Sequence, residues 1–258
     1  PFVLKSPPIA NLQNVSGNRP ATAIIMRKYF FTILFSILLV NEMVASCMYS
    51  KIEVWPRTNE ISSNSLFIVE GYGGSQIIVR ELNQKHNIYL KSETSRIPLK
   101  VINRYEGQFK LTQVVLRPIR KLIAGTTYTL HIDSLDQFDM DDFYGNNFKW
   151  TVINKSDHEA PEWLQKPIYV SKEKTYFGCG PSSFVNFCVC FKDNSPVKIY
   201  SKVLNLRTRK SCEYMVSPVS NTLRIGYGMC SGEFYFEDGE KYEISFSVLV
   251  FICEILRV

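Results

Sequence analysis

The chain has 258 residues, 30 basic and 24 acidic, for a formal net charge of +6. That length suits one large or two ordinary domains. Four of the basic residues lie in the first 46 positions, so the remaining 212 residues carry 26 basic and 23 acidic side chains. A balance that mild argues against the clustered basic face a nucleic-acid partner requires; Arg117-Pro-Ile-Arg-Lys121, the densest basic group, reads as a solvated loop.

Residues 1–25 show no apolar periodicity, and Pro7-Pro8, Gly17-Asn18 and Pro20 break any element. They are expected to be upstream sequence that is not translated, with Met26 as the start. Arg27-Lys28, the apolar run Tyr29–Val40 and the small residues Val44-Ala45-Ser46 then describe a secretory signal peptide over 26–46. The apolar run is too short for a membrane span of about 20 residues. Cleavage before Cys47 leaves that cysteine either lipidated or free to form a disulfide, and lipidation at Cys47 is the only membrane attachment the reading allows. Localisation is expected to be secreted, periplasmic or cell-surface.

From there short alternating or β-branched runs follow one another at spacings near ten residues. Strands are expected at 66–70, 76–80, 87–91, 97–102, 108–116, 127–132 and 147–152. Gly71-Tyr-Gly-Gly-Ser-Gln76 is a turn between the first two; it lacks the Gly-Lys-Ser/Thr ending of a phosphate loop. The polar run Asn154–Glu159 before Pro161 reads as a linker. Strands resume at 168–170, 183–191, 197–206, 222–227, 233–236 and 241–250. The pattern predicts an all-β chain with one sandwich over 47–154 and a second, cysteine-rich one over 155–258.

An internal repeat supports the duplication. Gly125, Tyr128, Leu130 and Ile132 recur as Gly239, Tyr242, Ile244 and Phe246, 114 residues apart. Glycine supplies the turn, the three residues after it alternate onto one buried face, and each tyrosine hydroxyl is placed to tie back to a nearby corner.

Leu116-Arg-Pro118, Leu122, Gly125, Tyr128 and Leu130, followed by Asp142-Phe-Tyr-Gly145-Asn146 and Phe148-Lys-Trp150, resemble the pattern of bacterial Ig-like domains over about residues 50–153. The second half resembles it less. After Val250 it shows no Asp…Gly-Asn turn, so its last strand is expected to be missing. The resemblance implies two tandem Ig-like β-sandwiches behind a cleavable signal peptide.

Six of the seven cysteines fall within the last eighty residues. Export favours disulfides, and the one-residue gap of Cys188-Val-Cys190 does not suit zinc. The disulfide candidates are Cys179, Cys188, Cys190, Cys212 and Cys230, with Cys179–Cys230 the favoured pair because both lie beside glycines near strand ends. Connectivity otherwise stays open.

Asp133, Asp136, Asp139, Asp141 and Asp142 form the sharpest metal candidate, because calcium wants several carboxylate oxygens on one loop; their spacing does not match an EF-hand. No other cofactor is expected. His86, His131 and His158 accompany no recognisable nucleophile motif, so no enzyme is expected. Trp55 and Trp163, beside prolines near the start of each sandwich and outside clear strands, are candidates for surface recognition. The resulting expectation is a non-enzymatic binding or structural module that meets a protein or glycan at the cell surface. The alternative is a metal carrier or calcium-stabilised adhesion module using loop 133–142.

Overall fold

Alternation builds the first sheet. In β1 (Lys51–Trp55), Ile52 and Val54 turn into the core while Lys51, Glu53 and Trp55 face the other way. β3 (Phe67–Tyr72) pairs antiparallel with β1 and with β6 (Leu111–Pro118). Neither β3 nor β6 alternates in burial, because each is covered on both faces. β5 (Arg96–Glu106) does two jobs. Its first half pairs with β4 (Ile88–Lys91), its second half with β6, and the register shifts between Val101 and Asn103. β7 (Thr127–Ile132), β8 (Lys149–Val152) and β2 (Glu60–Ile61) complete the order β1-β3-β6-β5-β4-β7-β8-β2. This sheet folds over on itself, because strands far apart in that order share one core. Phe67 of β3 meets Trp150 of β8 edge to face at 5.0 Å, and Trp150 Nε1 donates to the Pro56 carbonyl at 2.9 Å. Burying each large apolar side chain here stabilises by roughly 1.5–3 kcal/mol.

The second half is two three-stranded sheets. One has the order β13-β10-β9, from β9 (Glu162–Phe177), β10 (Gly180–Lys192) and β13 (Thr222–Tyr227). The other has the order β12-β11-β14, from β11 (Ile199–Asn205), β12 (Ser211–Val216) and β14 (Tyr242–Val248). They stack face to face, with Phe187 of β10 against Phe246 of β14 at 4.9 Å. The outer face of β3 and β6 joins this packing. Ile68, Leu111 and Val115 belong to one apolar cluster with Ile199, Tyr214, Met215 and Leu223, and Tyr105 meets Tyr200 at 6.0 Å. That is why β3 and β6 are apolar on both faces. The β1-β3-β6-β5 portion is a middle layer, not an outer wall.

This computed structural model describes residues 50–133, 135, 148–155, 161–178, 180–192 and 197–248, all within a unit running from Ala45 to Val258. The expected upstream segment 1–25, the signal peptide 26–46, Cys47 and the end of the chain after Val248 lie outside the described residues. No helix among the described residues is long and apolar enough to cross a membrane.

The all-β expectation holds, with one element reversed. Gln76–Arg80, read as a strand, is a single α-helical turn, α1, entered through a 3₁₀ turn at Gly73–Ser75. Gly73 has φ 56°, which turns the chain before a strand can continue. Val79 is then the side chain buried beneath it, packed so close to β3 that a Cβ on Gly71 would lie 2.7 Å from the Ser75 carbonyl. Residues 233–236, also expected as a strand, form none, although Phe234 and Phe236 are core residues. Trp55 and Trp163, placed outside strands by the sequence, stand in β1 and β9.

The repeat is realised down to its hydrogen bonds. Gly125 and Gly239 have φ 76° and 80°. Ile123 N–H donates to the Tyr128 hydroxyl at 3.4 Å and Glu237 N–H to the Tyr242 hydroxyl at 2.9 Å, each bond spanning five residues.

β9 is the edge of its sheet, and most of its sixteen residues are exposed. Leu164, Ile168, Tyr169, Val170, Tyr176 and Phe177 all present large apolar surface to solvent.

Candidate functional site

Where the middle layer meets the second half, three polar residues stand in a row across neighbouring strands. Glu53 of β1 is opposite Glu70 of β3, and Glu70 is opposite Gln113 of β6. Like charges directly across a ladder repel, so each carboxylate needs a cation. Lys51 reaches Glu53 at 2.8 Å and Arg57 also bonds it. Lys198, just ahead of β11, reaches Glu70 at 3.0 Å and is only 5% exposed. Gln113 Nε2 donates to Glu70 and to the Met215 carbonyl at 3.0 Å, while Met215 N–H donates to Gln113 Oε1 at 3.2 Å. The row is therefore pinned from both halves, and burial raises the strength of the bonds around Glu70 and Gln113.

Glu53 and Glu70 of this row line a cleft of about 680 Å³. β1 contributes Glu53 and Trp55, β3 contributes Glu70 and Tyr72, the end of β10 gives Phe191, and β13 gives Arg224. Lys198, Glu233 and residues 217–221 also line it. Aromatic walls with a few fixed charges are the usual make-up of a ligand site.

Glu233 is the titratable group of interest. Burial and the nearby Glu70 carboxylate push its acid up to about 7 against an ordinary value of 4.5, although Lys198 and Arg224 pull the other way. The unfolded chain therefore gives up this proton near pH 4.5 and the folded chain near pH 7. Stability from this group is whole below the lower value and falls as pH rises through the window. The loss across it should be at most roughly 3 kcal/mol, less in proportion to the water the cleft admits. Chemical denaturation at pH 5 and pH 8 checks this: Glu233→Gln should flatten the difference, and an unchanged slope in that variant would refute the assignment.

Tyr214 precedes the cleft-lining Met215 in β12, is 1% exposed, and its hydroxyl has no hydrogen-bond partner among the described residues. Burial raises its phenol well above the ordinary range, with Glu70, Tyr72, Glu233 and Glu53 adding to the shift. Cys212 is nearby. Its thiol donates to the carbonyls of Glu106 at 3.4 Å and Glu233 at 3.5 Å, and burial pushes it up to about 11.

Of the residues singled out in the sequence, Trp55 reaches the cleft directly. Trp163 backs it through an edge-to-face contact with Phe191 at 6.3 Å. Both tryptophans are half-buried against the core. The thiols of Cys188, Cys190 and Cys212 are free, which corrects their assignment as disulfide candidates. Cys188 and Cys190 flank the buried Val189, so both turn away from the core, and Cys212 is held at the junction between the halves. Cys230 is disulfide-bonded, and Cys179 lies outside the described residues.

Asp133 accepts a hydrogen bond from Asn87 Nδ2 at 2.9 Å and faces Arg96 at 3.6 Å. Its carboxylate is engaged with protein groups, and Asp136, Asp139, Asp141 and Asp142 lie outside the described residues. No cluster of three metal-ligating side chains occurs among the described residues. His86 and His131 do not line the cleft; His131 stacks on Tyr89 at 5.5 Å, and His158 is outside the described residues.

Sequence reasoning missed Glu70, Gln113, Lys198 and Glu233. A signal was there: Glu70 and Gln113 interrupt runs of large apolar residues in β3 and β6, and a polar residue in a doubly buried strand needs a partner from elsewhere.

No family model matches the chain, and no curated protein matches it in sequence. Among solved structures it is similar to pullulanase type I from Bacillus subtilis str. 168 complexed with maltose, at 10% identity and a TM-score of 0.24, over 78% of this chain and 23% of that one. It is similar to a pullulanase from Anoxybacillus sp. LM18-11 complexed with maltotriose, at 8% identity and a TM-score of 0.24, over 80% and 24%. It is also similar to the tandem Ig repeats of Dlar, at 12% identity and a TM-score of 0.21, over 77% and 90%. The chain spans about a quarter of the length of the pullulanases it matches. At TM-scores this low, none of these likenesses bears on what the chain does.

Proposed function

We propose that this chain is an exported, non-enzymatic recognition module, Ig-like in its strand arrangement, that binds a protein or glycan partner in the cleft between its middle layer and its second half. One observation carries the reading: Trp55, Tyr72 and Phe191 wall a cleft that is also lined by Glu53 and Glu70, charges already fixed by ion pairs and hydrogen bonds. Fixed polar groups orient a ligand, and aromatic walls supply contact area at low entropic cost. The paired tyrosine corners support the Ig-like assignment.

Export is supported by the bonded state of Cys230. Its partner in this proposal is Cys179: a Cβ on the adjoining Gly180 would lie 3.9 Å from the carbonyl of Met229, next to Cys230.

The test has two arms. Wild-type protein is screened against glycan and peptide arrays, and hits are remeasured with Trp55→Ala and Phe191→Ala. Each substitution should weaken binding at least tenfold, since aromatic anchors of this kind cost about 2 kcal/mol or more when truncated; retention of binding in both would sink the cleft as the site. Peptide mapping of unreduced, secreted protein should recover residues 179 and 230 in one cross-linked fragment, and finding both as alkylatable thiols would count against export.

A further inference from the structure

We propose that the cleft takes a primary ammonium group on a short apolar stem, the chemistry of a lysine side chain presented by a partner protein, with Glu233 as its counter-ion. This rests on the recognition reading above and names the ligand for that site.

The charges of the cleft pair off with one exception. Every other charged group used in the cleft already has its partner: Glu53 has Lys51 and Arg57, Glu70 has Lys198, and Arg224 has Glu173 at 3.3 Å while stacking over Phe184 at 3.7 Å. Glu233 alone among these carboxylates has no ion-pair partner among the described residues. A group that completes the cleft electrostatically is a cation.

The walls of the cleft narrow the cation. An ammonium carries three N–H donors for the Glu233 carboxylate. Trp55, Tyr72 and Phe191 line the same cleft, suit an apolar stem and offer ring faces that attract positive charge.

Binding is coupled to pH, because the ammonium needs Glu233 ionised. The groups that bear on that carboxyl are Glu70 and Tyr72 from β3, Lys198 ahead of β11, Cys212 and Tyr214 from β12, and Arg224 from β13. With an acid near 7, raising pH from 6 to 8 increases the ionised fraction about tenfold.

Calorimetry on the full chain tests this, with an acetylated Gly-Lys-Gly amide as probe, its norleucine counterpart, and glucosamine. The lysine peptide should bind and tighten about tenfold between pH 6 and 8, the norleucine peptide should bind at least tenfold more weakly, and Glu233→Gln should erase the pH dependence. Proton release by the wild-type protein, read from the heat in buffers of different ionisation enthalpy, provides the same check without any variant. Equal binding of norleucine, or an unchanged pH profile in Glu233→Gln, overturns the proposal. So does glucosamine binding as tightly as the peptide, which would assign the ammonium to an amino sugar. Array ligands that need Trp55 but carry no amine would overturn this inference and leave the recognition reading standing; array ligands that ignore Trp55 and Phe191 would remove both.

Discussion

Replacing Lys198 with methionine should cost about 3–5 kcal/mol, which in a fold of this size lowers the melting temperature by about 10 °C. Lys198 Nζ sits 3.0 Å from Glu70 Oε1, and both side chains are nearly out of contact with solvent. Methionine keeps the stem and removes the charge. Glu70 then faces Glu53 across the ladder with only Gln113 and Tyr72, among the described residues, donating to it. An unpaired buried carboxylate either stays charged at great expense or takes up a proton, so the loss should deepen as pH rises. The double variant Lys198→Met with Glu70→Leu removes both charges and should recover most of the stability, because a buried ion pair gains little over apolar residues of similar volume. A single variant within about 1 kcal/mol of wild type at pH 8 would show that this pair does not hold the halves together.

The second large effect is expected at Gly226. It lies in β13 opposite Phe184 with φ 153°, and a Cβ there would stand 2.0 Å from the Ser183 carbonyl oxygen and 2.9 Å from the Phe184 Cα. Both obstacles are backbone of the central strand β10, so relief requires prising the two strands apart. Phe234 N–H also donates to the Gly226 carbonyl at 3.1 Å, which ties the Phe234 segment of the shared core to the same spot. Gly226→Ala should cost about 4 kcal/mol or more. Gly125→Ala is the control: its φ is 76° but nothing lies within 4 Å of the added carbon, so only the left-handed backbone resists, at about 1–2 kcal/mol. Equal losses in the two variants, by urea denaturation, would mean that backbone conformation and not strand contact dominates at Gly226.

Local rules made much of this molecule legible. The offsets from Gly125 to Tyr128 and from Gly239 to Tyr242 lie within eight residues, and both the turn and the hydroxyl bond follow from them. β7 and β14 could be placed for the same reason. Alternation fails where a strand has two covered faces. Phe67-Ile-Val-Glu-Gly-Tyr72 reads as a strand, but nothing within it says that Ile68, Glu70 and Tyr72 meet residues 130 positions later. The helical turn at Gln76–Arg80 was missed because Ile-Ile-Val favours a strand until Gly73 redirects the chain. The cleft was illegible for a similar reason. Its charged groups are drawn from β1, β3, β13 and the approach to β11, and only Trp55 among its walls had drawn attention as a chemical type. Glu233 looked like the first residue of a strand; its altered acidity comes entirely from what packs around it.

The long rim of β9 has a consequence for how the molecule behaves among its own copies. A ribbon of that length with so much uncovered hydrocarbon would ordinarily recruit another ribbon and seed aggregates. Here Lys166, Lys172, Lys174 and Glu173 set charges along it, and Pro167 offers no N–H to a newcomer and falls where the pairing with β10 skips from Ile168 to Gln165. The strand is thus greasy in its side chains and inhospitable in its main chain. At Pro167 the rim offers an incoming strand no N–H, so contact there falls to side chains.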